Sequence, residues 1–169
     1  FEPSVLNLEL LVKNIHHNSL SNKINLIPFP LFEDISIKSF YLSDDERGSA
    51  LSNFGESLNH DGEPMESKLS YKTFGSSIDS IIDKLKFEPP HYIKLDVDGI
   101  EHLILKGAME TLKNVESILL EVNANYKSQS EEINRILTLS GFKLKEIRQS
   151  EFIKDSIGFS AFSNQIWIK

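Results

Sequence analysis

Cysteine is absent from this 169-residue chain. That excludes disulfide scaffolds, cysteine-ligated zinc, iron–sulfur centres and thiol catalysis. Basic charge is scarce: 18 Lys and Arg face 25 Asp and Glu, for a net charge of −7. A chain that neutralises phosphates normally carries a basic excess, so this balance argues against nonspecific nucleic-acid binding. It leaves room for an anionic small molecule in a local pocket. No apolar run reaches the roughly 18–20 residues needed to cross a bilayer. Neither an Asn-X-Ser/Thr sequon nor a basic-then-apolar signal segment occurs. Also missing are a P-loop, a GxGxxG turn and a GxSxG nucleophile elbow. The histidines at 16, 17, 60, 91 and 102 show no metal spacing such as HExxH.

What is present suits a domain with a real core, at 40% hydrophobic and 25% charged residues. Val5, Leu8, Leu11, Val12 and Ile15 fall near helical spacing behind Ser4, a good N-cap residue. Residues 23–32 and 35–42 read as strands, the second alternating as a half-buried strand does. Residues 43–68 are polar, Gly-bearing and poorly periodic, and are expected to form a surface insertion. A short strand over 69–74 precedes a helix capped by Ser76 or Ser77 and stopped by Pro89-Pro90. Buried strands are expected over 91–97 and 115–122, with a long helix over 100–112 between them. A further helix over 131–139 and strands over 142–147 and 165–169 complete the chain. Strands separated by single helices indicate an α/β domain with a mostly parallel sheet. Phe1, Glu2, Pro3 and Ser4 read as a strand end entering a helix. Residues 1–169 are therefore expected to be most of a single domain, truncated at its N-terminal side and only marginally stable alone.

In such sheets ligands sit at the carboxyl ends of strands, which singles out Glu2, Asp96, Asp98, Glu121 and Asn123. Strand alternation puts Lys94 and Asp96 on one side. Asp98, Gly99 and Glu101 fit a structural role, with Asp98 as a helix cap and Glu101 closing a capping box. Asp96 sits too early to cap and is the better functional candidate. An EF-hand loop is excluded, because aligning Gly99 with its glycine puts Lys94 and Leu105 at ligand positions. Asp96, Glu121 and Asn123 could instead orient a substrate hydroxyl or hold a hard divalent cation. A carboxylate at the Glu2 position can accept hydrogen bonds from both ribose hydroxyls.

Two blocks of residues go further. Phe1, Glu2, Pro3, Asn7, Leu11, Asn14 and Ile15 form the first. Ile93, Lys94, Asp96, Val97, Gly99, Glu101, Leu105, Gly107, Ala108 and Glu121 form the second. Together they resemble the FkbM family of S-adenosylmethionine-dependent methyltransferases, over about residues 1–142 and most specifically at 93–108. The resemblance implies a Rossmann-like methyltransferase fold with an antiparallel C-terminal strand, and methyl transfer from S-adenosylmethionine to an oxygen. It implies Glu2 on the cofactor ribose, Asp96 beside cofactor and acceptor, and an adenine pocket near Phe29 and Leu31. The family's usual Glu is Asp98 here, and the Gly-rich turn that holds the methionine part is expected upstream of Phe1. The catalytic candidates are then Asp96, Glu121 and Lys94, acting on a small hydroxylated acceptor such as a sugar or secondary metabolite. A cytoplasmic location, no nucleic-acid partner and no membrane span complete the expectation. A non-catalytic scaffold domain and a nicotinamide-dependent oxidoreductase are the competing readings. The second would need a GxGxxG upstream.

Overall fold

The structure is a computed structural model and describes residues 1–149 and 161–169. Helix α1 spans Val5–His17, and Ser4 caps it, its Oγ accepting from the Asn7 N–H at 3.4 Å. Strands β1 (Ser36–Leu42), β2 (Ser52–Phe54) and β3 (Leu69–Gly75) form an antiparallel sheet in the order β2–β1–β3. Helix α2 (Ile78–Leu85) follows, capped by Ser77. The second sheet is built from β4 (Tyr92–Leu95), β5 (Ser117–Asn123), β6 (Lys143–Arg148) and β7 (Phe162–Ile168), in the order β4–β5–β7–β6. Helices α3 (Glu101–Lys106) and α4 (Lys127–Leu139) pack on each other, and α4 packs on β5.

The expectation of one mostly parallel sheet is corrected here. Among the described strands only β4 and β5 run parallel; β7 is antiparallel to both of its neighbours, and the first sheet is wholly antiparallel. Chain order alone does not reveal that β7 inserts between β5 and β6. Residues 23–32 are also not a strand. Pro28 and Pro30 have no N–H to give a ladder, and the segment makes a single bridge from Leu31 to Ser76. Strand β4 lies at the edge of its sheet with Tyr92 70% exposed, so only Leu95 of this strand is buried. The segment 43–68 contains β2, whose Phe54 is fully buried.

The long helix expected over 100–112 stops at Lys106. Gly107 closes it, and a Cβ there would stand 2.4 Å from the Phe32 carbonyl oxygen. Close backbone approach therefore requires a glycine at this position. A separate 3-10 turn, Thr111–Lys113, follows. The Asp79 carboxylate accepts from the N–H groups of Glu110 and Thr111 and from the Thr111 hydroxyl, which fixes that turn to α2.

Two apolar clusters result. The larger joins Leu95, Ile104, Leu105, Ile118, Leu120, Val122, Ile133, Ile136 and Trp167. The smaller is Phe32, Phe40, Leu42 and Phe54. Ile100 packs against both, at the start of α3.

Candidate active site

The chain leaving β4 makes a sharp turn over Asp96, Val97, Asp98 and Gly99. Asp98 adopts φ +56 and Gly99 φ +119; an Asp tolerates the first value, and only a glycine is comfortable at the second. The turn points its side chains in different directions, and each carboxylate meets a different environment.

Asp96 is exposed, and its Oδ2 accepts from the Lys94 ammonium at 2.6 Å, as the alternation along the strand requires. Asp98 turns away from α3. Its Oδ2 accepts from the backbone N–H of Leu51 at 2.8 Å and of Ser52 at 3.3 Å, so its expected role as a helix cap is corrected. The N-cap of α3 is Ile100, which has no side-chain cap bond. Burial pushes the Asp98 carboxyl above its ordinary value, against the pull of those two N–H groups. Glu101 lies inside, 3% exposed. Its carboxylate accepts from the N–H groups of Val97 and Gly99, both at 3.2 Å, and from Gln129 Nε2 at 2.6 Å. It thus holds the turn as a capping-box acid would, from the first helical position rather than the third. Burial raises its carboxyl to about 7.

The parallel register pairs Leu95 with Leu120, and one further step puts Glu121 beside Asp96. Burial, followed by the negative charges of Asp96 and Asp98, raises the Glu121 carboxyl; Lys94 opposes this. Asn123 is buried, and its amide is already committed. Nδ2 donates to the His60 carbonyl at 2.9 Å and to Asp61 Oδ1 at 2.6 Å, while Oδ1 accepts from the Asn125 N–H. Asn123 is therefore a strut for His60 and Asp61, which corrects its candidacy as a metal ligand. Among the described residues no group of three or more His, Cys, Asp or Glu side chains could hold a metal ion.

A cleft of about 270 Å³ opens beside the turn. Glu2, Pro3 and Ser4 contribute from the start of α1, Ser49 and Ser52 from the first sheet's side, and Asp96 and Asp98 from the turn. Residues far apart in sequence thus converge on one cavity. Glu2 Oε1 accepts from the Ser4 N–H at 2.8 Å. Leu31 lines the cleft with Phe1, Phe40 and Ile100. Phe29 stands beside it, packed edge-on against Phe1 and Phe74 with ring centroids 6.1 and 5.2 Å away. Glu121 lies behind the turn, where it shares a small cavity with Glu101, Asn123 and Gln129.

Three contributions had been given no role in the site from the sequence. Asn7 clamps the cleft's far edge: its Nδ2 donates to the Ser49 carbonyl at 3.2 Å and its Oδ1 accepts from the Gly48 N–H at 2.8 Å. The Ser49 hydroxyl is buried with no partner among the described residues. Gln129, 2% exposed, supports Glu101 from α4. A polar residue on the apolar face of α4 was the available signal for Gln129; Ser49 offered none.

A family model described as the methyltransferase FkbM domain matches residues 1–146. No curated protein and no solved structure matches the chain.

Proposed function

The chain belongs to the FkbM methyltransferase family, and we propose that it transfers the methyl group of S-adenosylmethionine to an oxygen of a small hydroxylated acceptor. The observation that carries this reading is the convergence of Glu2, the apolar walls and the Asp96–Asp98 turn on a single cleft. Its parts suit the cofactor. Glu2 uses one oxygen on Ser4 and keeps the other for ribose hydroxyls. Leu31, Phe40 and Ile100 offer an apolar slot for a flat base. The carboxylates of Asp96 and Asp98 favour a cation nearby.

When bound, the cofactor supplies an electrophilic methyl on a positively charged sulfur. The chain must orient the acceptor hydroxyl, take up its proton and exclude water. In this reading Asp96, held by Lys94, hydrogen-bonds that hydroxyl. Glu121 supports it from behind the turn, its proton affinity raised by burial and by its acidic neighbours. Glu101 and Gln129 act through the turn and hold its shape. No divalent cation enters the scheme. Among the described residues no helix is long and apolar enough to cross a membrane. A cytoplasmic setting belongs to the same proposal, since the reaction needs a compartment that supplies the cofactor.

Calorimetric titration of the intact protein with S-adenosylhomocysteine tests the cofactor assignment. Binding is expected, weakened about tenfold in Glu2→Gln, equivalent to ~1.4 kcal/mol. No binding by the wild type would refute it. For the acid–base role, Asp96→Asn is expected to slow turnover by roughly 10²–10⁴; a near-normal rate removes Asp96 from the chemistry.

A further inference from the structure

Glu2, which the cofactor reading places on the ribose, sits on a stretch that packing alone does not hold. Helix α1 follows directly, and of its thirteen residues only Ile15 is buried. Leu6 leans on the smaller apolar cluster. Residues 1–4 are therefore held largely by hydrogen bonds. The Glu2 N–H donates to the Ile27 carbonyl at 3.1 Å, and Glu2 Oε1 turns back onto the Ser4 N–H. Ile27 belongs to neither sheet, so neither bond reaches a strand.

Tyr71 makes that connection. It lies on β3, in register with Phe40 of β1, and its ring packs on Phe40 with centroids 5.6 Å apart. Phe40 is buried and lines the cleft, so Tyr71 stands behind that wall. Its hydroxyl donates to the Pro3 carbonyl at 2.6 Å and accepts from the Val5 N–H at 3.3 Å. These two groups flank Ser4, the N-cap of α1. The helix satisfies neither of them. Pro3 lies before the cap, outside the intrahelical ladder, and the Val5 N–H is one of the free donors at a helix start. A single hydroxyl from a paired strand thus closes both. Burial pushes the phenol above its ordinary value, the Val5 N–H opposes this, and the Glu2 carboxylate is near enough to add to it. The hydroxyl therefore stays a donor to Pro3 throughout the neutral range.

We infer that Tyr71 is the positioning residue for Glu2: it holds the backbone on either side of Ser4 so that the free Glu2 oxygen faces the ribose hydroxyls. What Glu2 binds rests on the cofactor reading; the tie rests on the geometry of Tyr71, Pro3 and Val5. A phenylalanine at 71 would keep the ring on Phe40 and lose only the tie. The Pro3 carbonyl and the Val5 N–H would then turn to water, and Glu2 would meet the ribose less well organised. A tie that served the helix alone would instead weaken binding equally whether or not the Glu2 carboxylate is intact.

Calorimetric titration of the intact protein with S-adenosylhomocysteine, run as a double-mutant cycle between Tyr71→Phe and Glu2→Gln, tests this. Tyr71→Phe is expected to weaken binding about fivefold, the scale of one net hydrogen bond. In the Glu2→Gln background the same substitution should weaken it by under about twofold. Should Tyr71→Phe fail to fold, Val5→Pro removes one donor of the tie at a helix position that suits proline, and the same dependence on Glu2 is expected of it. An unchanged affinity, or an equal loss in both backgrounds, would overturn the inference. If Glu2→Gln by itself still weakens binding in those cases, the cofactor reading stands. No binding by the wild type would refute that reading and the inference with it.

Discussion

The two sheets present the cleft with walls of different stiffness. The β4–β5–β7–β6 sheet buries Ile118, Leu120 and Val122 on one continuous cluster with α3 and α4. The β2–β1–β3 sheet is covered mainly by Phe32, Phe40, Leu42 and Phe54, and leaves Ile37 73% and Phe74 43% exposed. Asp96 and Asp98 stand on the first wall; Ser49 and Ser52 belong to the second. The two carboxylates thus stand on the better-packed side of the cleft, while Ser49 and Ser52 sit on the thinner one. That division fits a site in which chemistry needs a rigid base and ligand entry needs a wall that can give.

The comparison can be broken most directly at Leu120, fully buried in the larger cluster. Leu120→Ala is expected to cost about 2–5 kcal/mol in denaturant unfolding. A loss under ~1 kcal/mol would show that this wall is not the stiffer one. Gly107 ties the two halves together, with a Cβ there meeting the Phe32 oxygen, Ser77 Cβ and Glu33 Cα within 3.0 Å. Gly107→Ala should cost ~1–3 kcal/mol and lower affinity for S-adenosylhomocysteine, as the halves separate. Unchanged affinity would mean that the cleft does not depend on this seam. Asp98→Asn keeps a residue that tolerates φ +56 but removes the charge that holds Leu51 and Ser52. A stability loss of roughly 1–3 kcal/mol is expected, with faster amide exchange at Leu51 and Ser52. Protection as in the wild type would show that β2 is held by other means.

Glu101 sharpens the contrast through pH. Its folded-state carboxyl is raised from 4.5 to about 7, so the folded chain binds its proton more tightly than the unfolded one. That contribution to stability is full below about pH 4.5 and is lost as pH rises through 7. The wild type should therefore lose stability relative to Glu101→Gln by on the order of 1 kcal/mol per pH unit across that window. Above it the difference curve should be flat. A curve that rises with pH would show that the N–H groups of Val97 and Gly99 outweigh burial. The smallest effect is expected on the thin wall's outer face: Ile37→Ser should stay within ~0.5 kcal/mol of wild type. A large loss there would point to a covering partner on that face.

Much of the local structure was legible in the residues. Ser4 and Ser77 marked their helices because short hydroxyl side chains satisfy free N–H groups at a helix start. The alternation over 35–42 marked β1, and the apolar run over 115–122 marked β5. The block from Ile93 to Glu121 also carried the family, and strand alternation put Lys94 and Asp96 on one side. Where the sequence misled, a long-range contact was responsible. The helix that periodicity would have continued ends at Gly107, where the Phe32 backbone passes close enough to require a glycine. Asp98 looked like a cap, yet the N–H groups it meets belong to Leu51 and Ser52, far away in the chain. Asn123 looked like a ligand, yet His60 and Asp61 take its amide.

The absence of cysteine and the acidic balance bounded the chemistry, and the 93–108 block assigned the family. These follow from side-chain types and from spacings within a few residues, which the chain carries wherever it goes. Strand order, the edge position of β4, the burial of Glu101 and the reach of Tyr71 to Pro3 and Val5 are different in kind. Each depends on which distant segment arrives beside a given residue, and that is set by the summed packing of two sheets rather than by any local pattern. The carboxylates at the strand ends were written in the sequence; which of them faces the cleft, which holds a turn and which stays buried was decided by the fold.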